Sequence, residues 1–221
     1  MEFTYAHFNT LGGERETPTA DLNRPKLSAE LNTLRERACA REIPVSDGET
    51  LNFLQTLVAA VKPKQILEIG TAIGLSAAVM LSACKSAHVT TIEKDEIFAR
   101  EASENFKNLG LSDKITLISG DAAEVLKQLI GQFDFIFLDG PKVQYVKYLP
   151  ELKRLLKAGG VLAADDVLLF GYVTGEREVP KKRKMLVEHV KEYLTAVTSD
   201  PELLTTVLNI GNGVAVSVKN D

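Results

Sequence analysis

Two short runs hold most of the reactive side chains of this sequence. Leu138-Asp139-Gly140-Pro141-Lys142 places a carboxylate and an amine three residues apart, and Ala164-Asp165-Asp166-Val167 places two carboxylates side by side. Each run follows an apolar stretch, Phe135-Ile136-Phe137-Leu138 and Leu162-Ala163-Ala164, so both sets of acids fall where a buried strand ends. Three carboxylates at neighbouring strand ends repel one another unless a cation lies among them. Oxygen ligands with no cysteine or histidine nearby suit a hard ion such as Mg²⁺ or Mn²⁺. A hydroxyl held by such an ion loses its proton more easily, and Lys142 is placed to take it once burial or the cation loosens its own. Taken singly, Asp165-Asp166 also reads as a loop turn and Lys142 as a surface lysine.

A second constellation lies upstream. Leu67-Glu68-Ile69-Gly70-Thr71-Ala72-Ile73-Gly74-Leu75-Ser76 joins an apolar strand to a helix, where glycines let a ligand approach the backbone and the helix start offers free N–H donors. A dinucleotide fingerprint would need glycine at positions 72 and 75, and Ala72 and Leu75 stand there, which disfavours pyrophosphate. Glu93 closes the next strand, where an acid accepts hydrogen bonds from both hydroxyls of a ribose. Asp121, in Gly120-Asp121-Ala122, closes the third, near the expected place of an adenine edge. A cofactor with ribose and adenine but no phosphate fits this rim, and S-adenosylmethionine is the candidate. Its sulfonium methyl is what a deprotonated hydroxyl would attack in line. Glu93 and Asp121 also read as plain loop acids and helix caps.

The elements that position these groups are predicted from hydrophobic period. Helices over 27–41 and 47–61 precede an alternation of strands (65–69, 88–92, 115–119, 133–138, 160–164) and helices (74–84, 97–109, 122–130, 146–156). Short apolar strands separated by helices imply an α/β, doubly wound, mainly parallel sheet covered on both faces. A helix over 181–197 and two runs, 203–208 and 214–218, about Gly211-Asn212-Gly213 predict a C-terminal antiparallel hairpin, giving seven strands. Residues 1–26, with Gly12, Gly13, Pro18 and Pro25 among polar residues, read as an N-terminal arm, and 27–221 as a single domain.

Composition narrows the class further. The 221 residues carry 26 basic and 30 acidic side chains, a formal charge of −4, so no global polycation exists for wrapping nucleic acid. Cys39 and Cys84 are too few for a disulfide scaffold, which predicts a cytoplasmic setting. Neither a signal segment nor a run of about 18 apolar residues is seen, so secretion and membrane spanning are disfavoured. His7, His88 and His189 are scattered and read as structural or surface residues.

The quoted motifs, with Asn209-Ile210-Gly211-Asn212-Gly213, resemble the class I metal-dependent O-methyltransferases, a family with catechol and caffeoyl-CoA types and bacterial members that methylate 5-hydroxyuridine in tRNA. The similarity spans about residues 27 to 218. It implies a Rossmann-like methyltransferase domain in which Val45, Glu68, Gly70, Ser76, Glu93, Asp121, Ala122 and Asp139 line the S-adenosylmethionine pocket. It further implies Asp139, Asp165 and Asp166 as metal ligands and Lys142, beside Asp139, as the catalytic base. The family usually carries Asp-Asn where this chain has Asp165-Asp166. A third carboxylate would leave the site formally −1 with a divalent ion.

A small hydroxylated, catechol-like aromatic is the expected acceptor. The run Lys181-Lys182-Arg183-Lys184 resembles a basic run of the tRNA-modifying relatives and keeps tRNA as an alternative, although it also reads as a solvated helix face. A homodimer is compatible with the resemblance. The rival readings are a nicotinamide-dependent oxidoreductase, disfavoured by Ala72, and a non-catalytic nucleoside-binding domain, disfavoured by the joint presence of the acids and Lys142.

Overall fold

The structure is a computed structural model, which describes Leu22 and residues 24–221. Most of the expected N-terminal arm, with His7, lies outside the described residues. Of the arm's last residues, Lys26 is tied to the domain, its N–H and C=O bonding the Gln55 side chain at 3.1 and 3.0 Å.

The chain runs α1 (Ala29–Ala40), α2 (Gly48–Val61), β1 (Gln65–Ile69), α3 (Leu75–Ala83), β2 (His88–Glu93), α4 (Glu96–Asn108), β3 (Ile115–Ser119), α5 (Ala122–Gln128), β4 (Phe133–Leu138), α6 (Tyr145–Leu155), β5 (Leu156–Ala164), α7 (Lys184–Ser199), β6 (Leu203–Leu208) and β7 (Val214–Lys219). The expected α/β alternation is therefore present, with helix starts set by local chemistry. Ser28, Asp47, Asp95 and Asp121 each cap a helix by accepting a backbone N–H of its first turn, worth about 1 kcal/mol apiece. Two boundaries differ from the sequence reading by more than two residues. Strand β5 begins at Leu156 rather than 160, its pairing with β4 shifting register between Phe133 and Phe135. Residues 181–183 form a 3₁₀ turn before α7 rather than its first turn.

The sheet order is β3-β2-β1-β4-β5-β7-β6, parallel from β3 to β5, with β7 antiparallel to both β5 and β6. Alternate strand residues feed two separate layers. Ile66, Val89, Phe135, Phe137 and Val161 pack under α2, α3 and α4, while Leu67, Ile69, Ile136, Leu138 and Leu162 pack against α5, α6 and α7. Each fully buried Leu, Ile or Phe stabilises the fold by about 1.5–3 kcal/mol. Helix α1 docks outside α3 through Leu31, Leu34 and Ala38. The order in which strands are laid down reverses between β1 and β4, and such a switch point opens a crevice at the carboxyl ends of the strands.

Candidate active site

Register brings the predicted groups to that crevice. Ile69 pairs with Leu138 and Leu138 with Ala164, so Gly70, Asp139 and Asp165 stand level, one residue beyond the ladder. The ladder bonds continue into them, Asp139 N–H donating to Ile69 O at 2.9 Å and Asp165 N–H to Leu138 O at 3.0 Å. Gly70, at φ 96°, is required because a Cβ there would fall 2.2 Å from the Asp139 carbonyl oxygen. Gly74, at φ 87°, meets Phe106 of α4 just as closely. Ala72 adopts φ 45° at the place where the dinucleotide motif carries glycine.

On the β1–β3 side, Glu93 accepts the Ala72 N–H on Oε2 and the Asp95 N–H on Oε1, both at 2.8 Å. Its carboxylate ties the β1 loop to the end of β2. Burial pushes its pKa above the ordinary value, against the pull of those N–H donors. Asp121 lies further out, 2.9 Å from Lys94 Nζ, and that hydrogen bond first of all holds its pKa below the usual range. Ala122, buried, follows at the start of α5. Val45 is half-buried and packs on the core formed by α1 and α3.

Glu68 and Ser76 are hydrogen-bonded to each other. Ser76 Oγ is 2.6 Å from Glu68 Oε1, Thr91 Oγ1 is 2.6 Å from Oε2, and Thr71 joins Thr91 at 2.5 Å. Glu68 is fully buried, and desolvation pushes its pKa up to about 8. It therefore holds Ser76 and Thr91 from beneath the loop. Thr91 is its register partner on β2, a clue that periodicity alone does not give.

On the β4–β5 side, Lys142 begins a 3₁₀ turn after Pro141 and is almost wholly buried. Its Nζ lies 2.8 Å from Asp139 Oδ1 and 2.9 Å from Asp166 Oδ2, and 5.8 Å from the ring centre of Tyr145. Tyr145 braces both strand ends, its hydroxyl bonding to Leu138 O at 3.0 Å and Asp165 O at 3.2 Å. Asp139 Oδ2 accepts from Ser46 Oγ at 3.2 Å. Asp165 Oδ1 accepts the Asp166 N–H at 2.8 Å and the Thr50 hydroxyl at 3.4 Å. Burial raises the pKa of Asp139, offset in part by Lys142. Burial and the charges of Asp166, Asp139 and Asp47 push Asp165 well above the carboxylate range. The chain from Ser46 to Thr50 was not among the expected site residues. Its signal was a helix N-cap, Asp47, preceded by a serine.

The donor set fits a hard divalent cation: all oxygen, negative in excess, with the Lys142 ammonium as counter-charge to several carboxylates. Asp139, Asp165 and Asp166 are the residues that would hold one. Among the described residues no three acidic, histidine or cysteine side chains converge as a ready-made metal cage, because Asp139 and Asp166 turn to Lys142.

The hairpin turn closes the crevice from a third side. Gly211 N–H donates to Glu49 at 3.3 Å, and a Cβ on Gly213 would fall 2.3 Å from Leu168 Cγ. Beyond Asp166 the chain forms a 3₁₀ turn, Leu169–Gly171. The basic run does not form one patch: Lys181, Lys182 and Lys184 are exposed, but Arg183 is buried. The expected phosphate-holding role of Arg183 is therefore corrected, since its guanidinium turns inward onto Phe170 and Tyr172.

A seven-stranded doubly wound sheet with acids at the ends of β2, β3, β4 and β5 defines a Rossmann-like methyltransferase. The profile of the O-methyltransferase family matches residues 19–220, and the chain belongs to that family. A caffeoyl-CoA O-methyltransferase of Populus kitakamiensis is 31% identical over 182 residues, 79% of this chain and 76% of its own. A catechol O-methyltransferase of Niastella koreensis is 36% identical over 155 residues, 68% and 69% of the two chains. The SAH-bound Podospora anserina methyltransferase PaMTH1 superposes with a TM-score of 0.83 at 25% identity, covering 91% of this chain and 92% of that one. The chain is thus an O-methyltransferase, an enzyme class whose methyl donor is S-adenosylmethionine.

Proposed function

We propose that this enzyme transfers the methyl group of S-adenosylmethionine to a hydroxyl of a small, catechol-like aromatic, with a divalent cation held by Asp139, Asp165 and Asp166. The observation that carries the reading is the buried Lys142 ammonium between Asp139 and Asp166, beside the Gly70–Ser76 loop. An amine and several acids at one switch point are what deprotonating a hydroxyl next to a cofactor requires.

Glu93 would hold the ribose through lone pairs left over after its two backbone contacts, and Gly70 and Ala122 would admit the donor against the backbone. The cation, when bound, supplies charge that makes the acceptor hydroxyl more acidic. Lys142, once its ammonium has released a proton to solvent, would take the hydroxyl proton as a neutral amine, leaving the acceptor oxygen to displace the sulfonium methyl, with S-adenosylhomocysteine as the leaving group. Residues 27–221 form the catalytic domain in this reading, with 1–26 an arm before it and the cytoplasm its setting. Among the described residues no helix is long and apolar enough to cross a membrane.

A second acceptor, 5-hydroxyuridine in a tRNA anticodon loop, is favoured by the exposed Lys181, Lys182 and Lys184 ahead of α7. Labelled-methyl transfer to a catechol panel and to hypomodified tRNA, run in parallel with and without Mg²⁺, tests both. Transfer to neither would defeat the proposal.

A further inference from the structure

Phe170 sits at φ 59° and ψ 25°, a left-handed conformation that a bulky aromatic residue rarely adopts. Leu169 beside it has φ 47° and Asp166 has φ 59°, so the strap 166–170, directly after Asp165, holds non-glycine residues in left-handed backbone. Such residues persist only where their surroundings over-determine them, and they cluster at working sites. One set of restraints comes from the hairpin turn: Val167 N–H donates to Gly213 O at 2.9 Å and Leu168 N–H to Asn212 O at 2.8 Å. Those bonds stop short of Phe170.

The 3₁₀ turn's own bonds, such as Tyr172 N–H to Leu169 O at 3.0 Å, close around Phe170, and a further restraint is Arg183. Its guanidinium carbon lies 5.8 Å from the centre of the Phe170 ring and 5.5 Å from that of Tyr172, and the two rings meet edge to face at 6.5 Å. A planar, desolvated guanidinium between two aromatic rings is an attractive arrangement that an ammonium reproduces poorly. The far end of the same strap is Asp166, whose carboxylate meets Lys142.

We propose that Arg183 is a positioning residue, whose guanidinium, wedged against Phe170 and Tyr172, holds the left-handed strap and so fixes Asp166 against Lys142. The proposal rests on the reading of Asp139, Lys142, Asp165 and Asp166 as the reacting centre. It separates Arg183 from its lysine neighbours: they face solvent, and it serves the crevice. The cofactor groups stand on β1–β3, across the switch point, so the effect should fall on turnover rather than on cofactor binding.

The test compares the parent chain, Arg183→Met, Phe170→Asn and the double variant. Methionine keeps an apolar stem without the planar cation, and asparagine tolerates left-handed backbone. Arg183→Met should lower kcat for a catechol acceptor about tenfold, the scale of a desolvated cation–π contact, with the Kd for S-adenosylmethionine unchanged. Trypsin should cut faster after Arg177, Lys181 or Lys182, and Arg183→Lys should fall between parent and Met variant in both measurements. In the Phe170→Asn background the same replacement should cost much less kcat, because the strap no longer needs the clamp. An effect of Arg183 that does not pass through Phe170 would instead give equal losses in both backgrounds, and the cleavage rates report whether the strap itself has loosened. Unchanged kcat and cleavage in Arg183→Met would overturn the proposal, as would equal losses in the two backgrounds. If Arg183→Met does not fold, Arg183→Lys with parental kcat and cleavage overturns it as well. A parent chain that methylates no acceptor defeats the catalytic reading separately, and the cleavage rates then decide whether Arg183 holds the strap.

Discussion

Lys142 and Asp166 form an ion pair, with Nζ 2.9 Å from Oδ2, the lysine side chain only 3% exposed and the aspartate half-buried. This pairing gives the departure from the usual Asp-Asn sequence a physical role. An asparagine would leave Lys142 with Asp139 as its charged partner here, whereas Asp166 adds a second carboxylate where Asp165 is already crowded by like charge.

Asp166→Asn is accordingly expected to stay active, because an amide oxygen still suits a hard cation and Asp139 still pairs with Lys142. The rate should remain within about tenfold of the parent, a barrier change of about 1.4 kcal/mol. Steady-state kinetics on a catechol acceptor check this. A folded but inactive variant would mean that Lys142 needs both carboxylates.

Replacing Glu93 should be felt in cofactor binding. Glu93→Ala removes the ribose acceptor and also releases the Ala72 and Asp95 N–H groups. A loss of roughly 1.5–3 kcal/mol per charged hydrogen bond is expected, read by calorimetry with S-adenosylmethionine. Equal affinity in parent and variant refutes the ribose assignment.

Asp139→Ala should abolish turnover while leaving far-UV circular dichroism intact, since the side chain projects from a strand end rather than into either core layer. Chelation of divalent metal should reproduce the loss, and added Mg²⁺ should reverse it only in the parent. Full activity of verified metal-free enzyme would sink the role of the cation.

Stability should fall with rising pH across the range set by Glu68. Its folded pKa is raised from 4.5 to about 8, so between those values the native state keeps a proton that the unfolded chain has lost. Below the unfolded value this proton makes no difference. Through the window, folding stability declines by up to about 1.4 kcal/mol per pH unit, and above the folded value the decline stops. Glu68→Gln keeps the shape without the titration and should flatten that part of the curve. Urea unfolding of both chains at pH 5, 6.5 and 8 measures the difference, and parallel curves would show that Glu68 ionises freely in the fold.

Neutralising Lys181, Lys182 and Lys184 together, with Arg183 retained, should leave the KM for a free catechol unchanged. If tRNA is also methylated, its KM should rise and its salt dependence flatten by a log-log slope of up to about 0.7–0.9 per lost phosphate contact. A parental tRNA KM in the triple variant removes the observation that favours RNA.

The strand ends were legible because each acid follows a short apolar run, and a parallel ladder forces such residues to one edge. Asp139, Asp165 and Glu93 could be placed on that ground. Glu68 could not, because spacing along β1 does not reveal that Thr91 is its register partner and Ser76 its cap. The inward turn of Arg183 was hidden for a related reason: a four-residue basic run looks uniform, while the 3₁₀ turn at 181–183 aims one member at Phe170. Left-handed backbone at Phe170 has no signature in residue type. The early start of β5 was masked by Gly159 and Gly160, which read as a turn.

Strand β7 enters the sheet between β5 and β6, and its leading turn supplies the Asn212 and Gly213 carbonyls that restrain Val167 and Leu168. As the ribosome delivers the chain, every acid of the crevice and Lys142 are made long before that strand. A polypeptide stopped short of Asn212 would own the complete chemical inventory, yet leave the edge of β5 bare and the strap after Asp166 untethered. Nonsense mutations this late in the reading frame should therefore be as damaging as early ones.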